Sequence, residues 1–159
     1  MTIDRRLFLL TLSAPLYAAV PLTVFSSDDA QVVEALCAQI VPAGDAPGAK
    51  EAGVVYYIET QLAGPLARFS AAYKTGIPAL NAACVAQTGK SFPDLPFGAQ
   101  TEFLHSVEAA RNSPPNQFFQ LVIDHTMQGF YGSPKHGGNK DEASWKMLGI
   151  ADVMEGHKH

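Results

Sequence analysis

The chain is 159 residues long, the size of one compact domain, and it is 47% hydrophobic against 16% charged, which excludes a disordered chain. Eleven basic and fifteen acidic residues leave a net charge of -4. With a pI of about 5.6 and no basic run, that balance excludes nucleic acid as a partner. Two cysteines are too few for a disulfide-dense scaffold or a four-thiolate metal site.

The first six residues end in Arg5 and Arg6, and residues 7–27 carry no charge. A basic start followed by an apolar stretch is the layout of an export signal. Asp4-Arg5-Arg6-Leu7-Phe8-Leu9-Leu10 resembles the twin-arginine pattern S/T-R-R-x-F-L-K in Arg5, Arg6, Phe8 and Leu9, and departs from it at Asp4 and Leu10. Such a leader implies a chain that folds in the cytoplasm and works in the periplasm. The competing reading is a retained membrane anchor, because the charge-free stretch is long enough to span a bilayer. Pro15 and Pro21 oppose it, since each breaks a helix. Cleavage is expected near Ala18 or Ala19. Residues 1–27 are therefore read as leader and 28–159 as the folded domain.

Helices follow in chain order. Ser27 is the expected N-cap of the first, with Asp28 and Asp29 in the turn where the helix dipole favours acids. Val32, Val33, Leu36, Cys37 and Ile40 then keep helical spacing and form one buried stripe. Pro42 and Gly44 end it, and residues 43–48 make a turn. A second helix is expected from Glu51 to Leu62, closed by Gly64. Pro65 opens a third over 66–74, which Gly76 and Pro78 should kink or break before it resumes over 79–87. Pro93 and Pro96 bracket a loop, and 99–110 is a fourth helix. Ser113 with Pro114 at the first helical position opens the fifth. No segment alternates in the manner of a strand. The fold class is all-α: one domain of about five helices.

The fifth helix is apolar on two sides. Phe119, Val122, Ile123, Thr126, Met127 and Phe130 form a wide stripe, and Phe118, Leu121 and His125 a narrower one. Such a helix is either central in its own domain or also touches a partner. After it, four glycines and Pro134 within residues 129–140 argue against regular structure. Functional surfaces concentrate on loops of this kind. Phe130, Tyr131 and Trp145, with His136, Gly137, Gly138 and Asn139, are the expected partner contact, because large aromatics fill pockets on partners. The competing reading has the aromatics closing one end of the helical core.

Candidate chemistry is thin. Asp124, His125, His136 and Asp141 could supply an acid–base pair or metal ligands. Neighbours on a helix point about 100° apart, so Asp124 and His125 cannot converge on one ion. There is no H-x-x-x-H, H-E-x-x-H or C-x-x-C, and no dinucleotide, Walker or nucleophile-elbow motif. No catalytic, cofactor or metal residue is assigned. Cys37 and Cys84 read as core residues, with a disulfide between them as the alternative in an oxidising compartment.

Residues 40–49 (IVPAGDAPGA) and 51–54 (EAGV), then 126–139 (TMQGFYGSPKHGGN) and 145–149 (WKMLG), resemble the signature of the gluconate 2-dehydrogenase subunit 3 family. Gly44 stands where that signature has an acid. The likeness covers about residues 29–149, is looser over 62–65 and 89–92, and is most specific in the glycine loop with Trp145. It implies a small, non-catalytic subunit of a periplasmic sugar or glucoside dehydrogenase, with no cofactor of its own. The implied partners are a flavoprotein large subunit of the glucose–methanol–choline type, which holds FAD, often a cytochrome c carrying haem, and the twin-arginine translocase. It also implies that the chain assists maturation and export of the large subunit, at the membrane surface or free in the periplasm. The alternative is a free-standing periplasmic enzyme or binding protein that uses the His136 loop.

Overall fold

Ser26, not Ser27, starts the first helix. In the computed structural model, which describes residues 21–155, its hydroxyl accepts the N–H of Asp29 at 3.1 Å. The Asp29 carboxylate in turn accepts the backbone N–H of Ser26 at 3.2 Å and its hydroxyl at 2.7 Å. This capping box satisfies orphan donors at both ends of the turn. Helix α1 (Ser27–Ile40) then buries Val32, Val33, Leu36 and Cys37, as their spacing requires. Arg5, Arg6 and Phe8 lie outside the described residues, as do His157 and His159. The folded domain begins earlier than residue 28, because Phe25 is a core residue.

Helix α2 (Val54–Leu62) begins three residues later than the sequence suggests. The Glu51 carboxylate accepts the N–H of Gly48 at 3.0 Å, so it serves the preceding turn instead of opening a helix. Helix α3 (Ser70–Thr88) corrects a second expectation, since it runs unbroken with Pro78 inside it. Pro78 is exposed, where the carbonyl it leaves without an N–H partner can meet water. Gly76 supports a close helix crossing: a Cβ there would stand 2.3 Å from the Phe118 ring.

Helix α4 (Phe97–Ala109) precedes α5 (Pro114–Tyr131), which opens on the expected Ser113 cap and Pro114. Helix α5 packs against α1, α2, α3 and α4. Its two apolar sides therefore both face neighbours, and Phe118, Phe119, Val122, His125 and Phe130 are buried. Met127 departs from its expected stripe and is 41% exposed.

The expected irregular tail contains two 3-10 turns, Pro134–His136 and Lys140–Glu142, and two short helices, α6 (Ala143–Met147) and α7 (Ala151–Glu155). Tertiary contacts hold this segment in shape despite its glycines. Among the described residues there are thus seven α-helices and no strand. Cys37 and Cys84 are buried and unpaired. The Cys37 thiol lies 3.3 Å from the Thr126 hydroxyl, and burial raises its pKa to about 12, so it behaves as an inert core group.

Candidate functional site

The end of α5 leaves carbonyl groups without helical partners, and the glycine loop supplies donors to them. Trp145 donates its indole N–H to the Tyr131 carbonyl at 3.0 Å. Asn139 donates its side-chain N–H to the Gly132 carbonyl at 2.9 Å. The Asn139 side-chain oxygen then accepts the backbone N–H and the hydroxyl of Ser144, at 2.8 and 2.9 Å. One buried amide thus joins the end of α5 to the start of α6.

Close backbone approach completes the arrangement. A Cβ on Gly138 would stand 2.3 Å from the Gly129 carbonyl oxygen, and one on Gly129 would meet Tyr57 at 2.6 Å. Only glycine fits either place. The Lys140 N–H donates to the Ala52 carbonyl at 3.0 Å, tying the loop to the turn before α2. The two sequence stretches singled out as a signature, far apart in the chain, therefore meet at one end of the bundle. An open cavity of about 470 Å³ lies between them, with Asp45, Glu51, Asp141, Lys140 and Lys146 in its lining.

This geometry divides the expected contact residues into two groups. Phe130, Trp145, Asn139 and Gly138 are buried within the chain. They build the loop from within and leave almost no surface of their own in the single chain. Tyr131, His136 and Gly137 are exposed. Tyr131 is 38% exposed with its ring edge-on to Phe130 at 4.9 Å. Met127 precedes it by one helical turn, so the two share a face of α5.

Of the candidate acid–base residues, His125 is buried, whereas Asp124, His136 and Asp141 lie on the surface. His125 is 2% exposed, and its Nδ1 lies 3.0 Å from the Tyr73 hydroxyl. The Phe69 ring stands edge-on to it at 5.1 Å. Among the described residues no three His, Cys, Asp or Glu side chains are grouped to hold a metal ion, and no helix is long and apolar enough to cross a membrane.

Burial lowers the His125 pKa, the Asp124 charge opposes that shift, and Arg68 reinforces it. The folded chain therefore holds this ring neutral, while the unfolded chain protonates it near pH 6.5. Because the unfolded state binds the extra proton, stability is complete above that pH and falls as the medium is acidified through it. His125→Gln should remove a stability slope of at most about 1.4 kcal/mol per pH unit in that window. Urea unfolding at a series of pH values checks this, and an unchanged slope in the variant would assign it elsewhere.

Glu59 escaped the sequence reading. It is 1% exposed and accepts backbone N–H groups from Thr23, Val24 and Phe25. The available signal was a lone charge beside Val55, Ile58 and Leu62 on a buried helical face.

A family model described as gluconate 2-dehydrogenase subunit 3 matches residues 27–151. No curated protein and no solved structure matches the chain.

Proposed function

Because the chain belongs to the gluconate 2-dehydrogenase subunit 3 family, we propose that it is the small, non-catalytic subunit of a periplasmic FAD-dependent sugar dehydrogenase. The family's name is that of one subunit among several, which supports work inside a dehydrogenase complex. In this reading a flavoprotein large subunit holds FAD and oxidises the sugar or glucoside, and a cytochrome c takes the electrons onward. The present chain assists maturation of the large subunit and carries it through the twin-arginine translocase.

One observation carries the reading. The signature residues spend their chemistry on holding a loop: Asn139 and Trp145 cap α5, and Gly138 allows close packing. The loop leaves Tyr131, Lys135, His136 and Gly137 outward, beside Met127. A rigid mount with an amphipathic aromatic rim suits recognition of another protein surface. Among the described residues His125 is the one buried histidine, and it is bonded to Tyr73, out of reach of a substrate.

Export supplies the test. Arg5→Lys with Arg6→Lys should leave both this chain and the flavoprotein in the cytoplasm, read by fractionation and immunoblot. A flavoprotein that still reaches the periplasm would defeat the carrier role. Failure of the unaltered pair to co-purify would defeat the subunit role.

A further inference from the structure

A buried carboxylate is costly unless hydrogen bonds replace its water. Glu59, on α2, has four such bonds among the described residues, and all come from the segment before α1. Oε1 accepts the Thr23 N–H, the Thr23 hydroxyl at 3.0 Å and the Val24 N–H at 2.7 Å, while Oε2 accepts the Phe25 N–H at 3.0 Å. Burial raises the Glu59 pKa, but these bonds prevail and hold it below the ordinary glutamate value, so the group is an acceptor only. Three consecutive backbone N–H groups turned to one carboxylate fix the path of the chain. Immediately after them, Phe25 enters the core with its ring 5.6 Å from that of Tyr73, and Ser26 caps α1.

Thr23–Phe25 are part of the sequence stretch that reads as leader, yet they are built into the domain. A peptidase must draw a substrate segment into an extended, accessible form, which the four bonds to Glu59 and the seating of Phe25 oppose. We propose that Glu59 is a clamp that sets the N-terminal limit of processing: the chain can be trimmed up to Thr23, and residues 23–25 stay on the body. The clamp joins residues 34–36 positions apart, so it exists only once α2 is folded against α1. The export peptidase as the trimming enzyme rests on the function proposed above; the protection itself does not.

The test uses the full chain. With a broad-specificity protease and intact-mass readout, the unaltered chain should give a stable fragment beginning at or before Thr23. Glu59→Gln keeps the size of the side chain but sets an N–H₂ against N–H donors. It should move the fragment's start to Ser26 or Ser27 and raise amide hydrogen exchange at residues 23–25 at least tenfold. Thr23→Pro removes two of the four donors at an exposed position without touching the core, and should do the same if Glu59→Gln fails to fold. An unaltered chain trimmed to Val24 or beyond, or variants trimmed no further than the unaltered chain, would overturn the clamp. A periplasmic form beginning at or before Thr23 supports both readings, and one beginning at Val24 or later overturns the clamp. A chain confined to the cytoplasm but protected at Thr23–Phe25 supports the clamp and overturns export.

Discussion

Phe130→Ala is expected to lower the unfolding free energy of the isolated chain by about 3–5 kcal/mol. The ring has no exposed surface. It lies in the last turn of α5 and belongs to the hydrophobic core, so its removal leaves a cavity there. Domains of this size are stable by only about 5–15 kcal/mol, so the loss is a large share of the whole. Trp145→Ala should fall in the same range, since the indole is 4% exposed and also satisfies the Tyr131 carbonyl. Trp145→Phe separates the two contributions. It keeps most of the packing and leaves that carbonyl without its donor, at a cost of about 1–3 kcal/mol. Urea denaturation of the purified chain reads all three. A loss below about 1 kcal/mol for Phe130→Ala would mean that this end of the bundle is not part of the cooperative core.

Tyr131→Ala should behave in the opposite way. Its ring lies on the surface, and the backbone carbonyl that Trp145 uses survives the substitution. The melting temperature of the isolated chain should therefore stay near that of the unaltered chain. Association with the flavoprotein subunit should weaken by about 2 kcal/mol, which is roughly thirtyfold in Kd. Met127→Ala, on the same face, should weaken it in the same direction. Calorimetric titration of the large subunit measures both. Unchanged affinity in both variants would place the contact on another face of the bundle.

The contrast between these neighbours marks how far the sequence could be read. Phe130 and Tyr131 are adjacent aromatics of similar size, and periodicity puts Phe130 on the α5 stripe. Both lie in the last turn of α5, and periodicity does not say what covers that turn. That depends on where the loop returns, and the return is decided by Asn139, Gly138 and the bond from Lys140 to Ala52. A glycine loop by itself offers little burial, which favours a partner-facing Trp145. The loop in fact folds onto the end of α5 and encloses it.

The sequence by itself determined the helical class, the Ser113 and Pro114 opening of α5, the core stripe of α1 and the family signature. Apart from the signature, these depend on residues one to four positions apart, where capping, side-chain spacing and turn chemistry act within a single turn of chain. The tertiary structure alone decided that α3 continues through Pro78, that the signature is largely a device for holding two loops together, and that residues 23–25 belong to the domain. Each of these turns on a contact between distant segments: Gly76 against Phe118, Gly138 against Gly129 and Tyr57, Glu59 against Thr23. Local preference is weak, a fraction of a kcal/mol to about 1 kcal/mol per residue. A buried carboxylate with four donors, or a ring seated against a glycine, outweighs it.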